Sequence, residues 1–172
     1  VCSMRHIIKI QDLEIGSGIP KICAPITGKD DEMILEQARA IAGAGADLAE
    51  WRADFYENFR EPEKIRQLLT AIKKELGQIP LLFTFRTKEE GGNCRIDKNS
   101  YVKLNMLAAG NQGADLIDVE IQFPKLDASA LIAEIKETGT RVIASNHHFD
   151  RTPSERELEE IFDRMEEAQA DI

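Results

Sequence analysis

Cysteine is scarce. Cys2, Cys23 and Cys94 are an odd, scattered set in 172 residues and lack any C-x-x-C spacing. A disulfide scaffold and a thiolate zinc site are thereby excluded as organising elements. No apolar run approaches the ~20 residues of a membrane-spanning helix, and Val1 to Ile10 lacks the apolar core of a signal peptide. Basic side chains are outnumbered, 22 Lys and Arg against 31 Asp and Glu, for a net charge of −9. Nucleic acid and anionic membrane are therefore not expected partners, since each selects a basic face. A small anionic substrate stays open, because a local group of arginines overrides the global field. The expected home is the reducing cytoplasm.

What is present is a regular alternation. Short apolar runs at Ile22–Ile26, Asp47–Trp51, Leu81–Arg86, Leu116–Ile121 and Val142–Asn146 have strand character. Amphipathic stretches at about 30–43, 61–76, 97–110, 127–138 and 154–168 have helical character. Gly43, Gly77, Gly110 and Gly139 fall where these helices should end, and Thr152-Pro153-Ser154 starts the last, with acids in its first turn. Such alternation implies a parallel sheet with right-handed crossovers. Residues 1–20 differ: Ile7 to Ile10 and a polar stretch ending Gly16-Ser17-Gly18 predict a leading hairpin. No linker divides the remainder, so residues 21–172 form one unit with it.

An internal repeat refines this. Gly45-Ala46-Asp47-Leu48-Ala49-Glu50-Trp51-Arg52 parallels Gly113-Ala114-Asp115-Leu116-Ile117-Asp118-Val119-Glu120. A third copy begins at Ala170-Asp171-Ile172, the start of a sixth strand. Five βα units and the start of a sixth are an incomplete barrel, since a closed eight-stranded (β/α)8 TIM barrel takes about 250 residues.

Alternating side chains share a face of a strand. Leu48, Glu50 and Arg52 therefore point one way, as do Leu82, Thr84 and Arg86, then Leu116, Asp118 and Glu120, then Ile143, Ser145 and His147. Each series opens apolar and closes on an ionisable group. Taken singly, Arg86 also suits a helix cap or loop ion pair, and Asp118 and Glu120 suit the flanks of a turn. Glu89-Glu90-Gly91-Gly92 suits a flexible turn and has no phosphate-loop spacing. Four polar tips at one end of a parallel sheet instead point to a ligand site, which such folds build at the C-terminal strand ends. His148 faces opposite to His147 and is expected to be a loop residue. The acidic face of 155–168 is expected to be solvated.

Pro20-Lys21-Ile22-Cys23-Ala24-Pro25-Ile26, Glu50-Trp51-Arg52, Phe83-Thr84-Phe85-Arg86, Asp118-Val119-Glu120 and Ser145-Asn146-His147-His148-Phe149 together resemble type I 3-dehydroquinate dehydratase, in order and over essentially the whole chain. The resemblance implies a class I aldolase-type barrel, a homodimer without metal or cofactor, and a hairpin over the barrel's bottom. It implies dehydration of 3-dehydroquinate to 3-dehydroshikimate in the shikimate pathway. A lysine amine condenses with the C3 ketone, and a histidine removes the C2 proton and assists loss of the C1 hydroxyl. By position His147 is that acid/base, Glu90 orients it and Asp118 supports the network. Glu50 and Arg52 match substrate contacts and Arg86 a further binding residue. Trp51 points away and is structural. Pro25 stands where many relatives have serine, so no contact is assigned there.

The family's lysine lies in a strand-six pattern Asp-Ile-x-Lys, which places it two positions after Ile172, equivalent by the repeat to Glu50 and Asp118. The 172 residues alone are thus expected to be inactive and, as an open sheet, to self-associate. Lys88 is the only nearby substitute, without any sign of the desolvation that activates an amine. Two other readings stay open. Glu50, Asp118, Glu120 and His147 could bind a divalent metal in a barrel isomerase or lyase, although Arg52 and Arg86 already neutralise those acids. The chain could also be a non-catalytic, self-associating scaffold.

Overall fold

The computed structural model describes residues 7–172. Cys2 and the opening stretch through His6 lie outside the described residues, so the expectation for the extreme N-terminus is carried only from Ile7 onward. β1 (Ile8–Ile10) and β2 (Leu13–Ile15) pair antiparallel, with Ile8 opposite Ile15 and Ile10 opposite Leu13. The predicted hairpin is present, turned by Gln11 at φ 52°.

Five parallel strands follow, each with its helix. They are β3 (Cys23–Ile26), β4 (Leu48–Arg52), β5 (Leu81–Thr84), β6 (Leu116–Glu120) and β7 (Arg141–Ser145), hydrogen-bonded in chain order. The helices are α1 (Asp31–Ala44), α2 (Pro62–Leu76), α3 (Lys98–Ala108), α4 (Ala128–Glu137) and α5 (Glu155–Glu167). A parallel sheet that adds each new strand beside the last is the wall of a (β/α) barrel. Asp30, Asp97 and Asp127 cap α1, α3 and α4, and Ser154 with Glu157 forms a capping box on α5. One expected stop is displaced. α1 runs through Gly43 and ends at Gly45, which takes the left-handed conformation at φ 77°. The C-cap needs positive φ, which Gly45 supplies, while an ordinary helical position costs Gly43 only entropy.

The repeat has a physical purpose. Asp47 accepts the Ile22 N–H at 2.7 Å, Asp115 the Leu81 N–H at 2.9 Å and Asp171 the Val142 N–H at 2.9 Å. Each aspartate thus satisfies a donor at the start of the preceding strand and fixes the register of its own. Asp171 and Ile172 already donate their N–H groups to the Val142 carbonyl, as Asp47 and Leu48 do to Ile22. Ile172 therefore occupies the register position of Leu48.

Parity divides the core in two. Ala49, Trp51, Phe83, Ile117, Val119 and Val142 face the helices within the main cluster. Trp51 is fully buried there, edge-on to Tyr56 and Phe83. Leu48, Leu82, Leu116 and Ile143 face inward and pack on Ile8, Ile10, Leu13 and Ile15. The hairpin closes the bottom of the barrel wall, and the apolar first inward layer exists to receive it. Burying each such side chain contributes about 1.5–3 kcal/mol.

Candidate active site

Above that layer the inward residues become polar. Arg86, two residues past the end of β5, is 6% exposed and reaches three carboxylates. Its Nη2 donates to Asp118 Oδ2 at 3.0 Å, its Nη1 donates to Glu120 Oε1 at 3.2 Å, and the same Nη1 lies 3.6 Å from Glu90 Oε2. The Ser145 hydroxyl accepts from Arg86 Nη1 at 2.8 Å and donates to Asp118 Oδ1 at 2.8 Å. Asp118, Glu120 and Ser145, 32 to 59 positions from Arg86, are thus joined with the nearby Glu90 around one guanidinium.

The electrostatics follow from that crowding. Burial pushes the Asp118 carboxyl above its ordinary range, opposed by the adjacent Arg86 and the Ser145 hydroxyl. Burial likewise raises Glu120, opposed by the Thr87 N–H and reinforced by the negative charge of Glu90. Burial disfavours the Arg86 charge, but Asp118 and Glu120 outweigh it and hold that group above its usual value.

His147 sits just past β7, half-exposed at the rim. Its Nδ1 lies 3.0 Å from Glu90 Oε2, and its backbone N–H donates to the same oxygen at 3.0 Å. A carboxylate accepts only, so Nδ1 carries the proton and Nε2 is the basic nitrogen. Asn146 donates to Glu90 Oε1 at 3.3 Å. The Glu-Glu-Gly-Gly stretch is therefore no free turn. It contains a short 3-10 turn, Lys88–Glu90, that buries Glu90 beneath the histidine.

Glu50 and Arg52 end β4, both half-buried. Arg52 is clamped by Asp54, Nε to Oδ1 at 2.8 Å and Nη2 to Oδ2 at 2.9 Å. Asp54 is fully buried and also accepts the Asn93 N–H at 2.9 Å. Sequence reasoning overlooked Asp54, although its i,i+2 spacing from Arg52 was a signal. It also gave Thr87 no role. The expected residues Glu50, Arg52, Arg86, Glu90, Asp118 and His147 do line one end of the sheet. Lys88 is exposed, which argues against an activated amine there. The Thr84 hydroxyl is fully buried without a hydrogen-bond partner among the described residues.

No three of the described His, Cys, Asp and Glu side chains are grouped as metal ligands. Asp118 and Glu120 spend their oxygens on Arg86, Ser145 and Thr87. Among the described residues no helix is long and apolar enough to cross a membrane.

The family model described as Type I 3-dehydroquinase matches residues 22–172. The chain is 39% identical over 170 residues to a 3-dehydroquinate dehydratase of Clostridium kluyveri, covering 98% of this chain and 67% of that protein. It is 35% identical over 165 residues to one from Listeria innocua, covering 96% and 66%. Among solved structures, it superposes on the Clostridium difficile type I 3-dehydroquinate dehydratase with covalently modified comenic acid at a TM-score of 0.92. That match has 35% identity and covers 97% of this chain and 66% of that one. The Enterococcus faecalis 3-dehydroquinate dehydratase superposes at 0.89, with 36% identity over 95% and 68%. The chain spans about two thirds of the length of these relatives.

Proposed function

The chain belongs to the type I 3-dehydroquinase family, carbon–oxygen lyases on a TIM-barrel fold, and from that membership we propose that the protein dehydrates 3-dehydroquinate to 3-dehydroshikimate through a Schiff base. The observation that carries the reading is His147, proton-loaded on Nδ1 by Glu90 and open on Nε2, beside a cluster of buried charges at the strand ends.

The amine belongs two positions after Ile172. Ile172 has the backbone register of Leu48, so that position is an inward tip like Glu50 and Asp118. Charge favours that placement: one guanidinium, Arg86, lies against Asp118, Glu120 and Glu90, which leaves a net negative charge that an ammonium at the neighbouring tip would offset. The amine attacks the C3 ketone and expels water to give an iminium. His147 Nε2 takes the C2 proton while the iminium accepts the electron pair. The protonated His147 then delivers a proton to the C1 hydroxyl, which leaves as water, and hydrolysis of the conjugated imine frees the product and the amine. Glu50 and Arg52 contact the ring hydroxyls and Arg86 is a further binding residue, with Asp118 holding its guanidinium.

We further propose a homodimer, supported by the exposed Leu158 and Phe162 on α5. A cytoplasmic home suits the free Cys23 and Cys94.

The test uses the full natural chain. Formation of 3-dehydroshikimate is followed by absorbance, and the imine is trapped with borohydride in the presence of 3-dehydroquinate. His147→Ala should lower kcat by about 10²–10⁴-fold while still forming the borohydride adduct. No turnover and no adduct in the unmodified protein would rule the reading out.

A further inference from the structure

We propose that Glu120 is a positioning residue that acts through Thr87 and Arg86 to keep Glu90 engaged with His147; the proposal rests on the acid/base reading of His147. Glu120 is 1% exposed, and both of its carboxylate oxygens are taken up by protein donors. Every bond the carboxylate accepts comes from the segment that leads to Glu90. Oε1 accepts the Thr87 N–H at 2.8 Å and Arg86 Nη1 at 3.2 Å, and Oε2 accepts the Thr87 hydroxyl at 2.8 Å.

Thr87 is a node. Its two donors go to Glu120, and its carbonyl accepts the N–H of Glu90 at 3.1 Å and of Gly92 at 2.7 Å. A single residue therefore separates the buried carboxylate from the turn that carries the histidine's partner. The turn has little freedom: a Cβ on Gly92 would lie 1.9 Å from the Arg86 carbonyl oxygen, so the loop is pressed onto its own root. A displacement of Thr87 is passed to Glu90 rather than absorbed.

The second route is electrostatic. Arg86 Nη1 is bonded to Glu120 at 3.2 Å and stands 3.6 Å from Glu90 Oε2, the same oxygen that holds His147 Nδ1 at 3.0 Å. Glu120 thus competes for a cation that would otherwise move onto Glu90. Without Glu120 the guanidinium shifts toward Glu90, and the carboxylate's hold on the imidazolium weakens.

The test measures the His147 titration midpoint by NMR and the kinetics of the full natural chain. Glu120→Gln should shift the His147 midpoint downward, because Arg86, relieved of Glu120, then moves toward the carboxylate that stabilises the charged imidazole. Thr87→Val, which keeps every charge, should lower kcat about tenfold with KM unchanged, and Thr87→Ser should restore it to within about twofold. A merely structural role would reduce the folded fraction without moving the midpoint or the pH profile. Should Glu120→Gln fail to fold, the Thr87 pair carries the test. Wild-type midpoints and kcat in both Glu120→Gln and Thr87→Val would overturn the proposal. An unmodified protein that leaves 3-dehydroquinate intact would instead overturn the functional reading, and the His147 midpoints would still decide the positioning role.

Discussion

Arg86 answers two carboxyls already raised by burial, Asp118 and Glu120, with a fork that no ammonium reproduces. Arg86→Met leaves those acids buried without their cation, which at neutral pH costs about 3–5 kcal/mol. The pH dependence has a definite sign. Both folded-state values lie above the ordinary 3.8 and 4.5 and climb further once Arg86 is gone. Above the ordinary values the folded state therefore holds protons that the unfolded chain has released. Stability accordingly falls as pH rises through the raised values, and this slope should be steeper in Arg86→Met than in the unmodified protein. Urea midpoints at intervals between about pH 4 and 7 measure it; equal slopes would contradict the charge balance described for this site. Which side chains share a strand face was legible from parity alone, so Glu50, Arg52, Arg86, Asp118 and His147 were found. Which oxygen meets which nitrogen was not, because those bonds join residues 32 to 59 positions apart.

At the scale of the elements, the aspartate of the repeat is a strand clamp. Asp115 accepts the Leu81 N–H on Oδ2 and binds Gln11 and Lys73 through Oδ1, tying β6 to β5 and to the hairpin. Asp115→Ala leaves a part-buried backbone donor unsatisfied and should cost about 1–3 kcal/mol in chemical denaturation. Asp115→Asn, which keeps an acceptor, should cost less. Equal losses would show that the ion pair with Lys73, rather than the strand cap, carries the effect. The repeat was visible in the sequence, but its purpose was not: nothing local says that the aspartate reaches back across to the preceding strand. The strand and helix limits were readable to within a residue or two. At Arg86 the two-residue difference follows from the chain leaving the ladder after Thr84, while the side chain keeps its inward direction.

For the whole molecule, the barrel bottom is closed by β1 and β2, whose Ile8 and Ile10 are 6% and 5% exposed against Leu48, Leu82 and Leu116. Ile8→Ser with Ile10→Ser removes that cover at a cost of about 4 kcal/mol or more, as for large-to-small core changes. The variant should bind an apolar dye and unfold at lower denaturant. An unaltered denaturation midpoint would mean that the hairpin is an ornament on the barrel wall. The polar end lies at the opposite pole of the same inward face, so such a change should leave the His147–Glu90 bond intact.

The sequence by itself determined the architecture and the family, because both are written in short-range periodicity and in motifs confined to single strands. It also determined that ionisable groups gather at one end, since side-chain alternation is a local property. Only the tertiary structure decided that Arg86 is shared among Asp118, Glu120 and Glu90, that Asp54 clamps Arg52, and that Glu120 grips Thr87. In a buried setting each charge must find its partners, and in a parallel sheet those partners come from different strands, whose approach the chain does not encode until it folds.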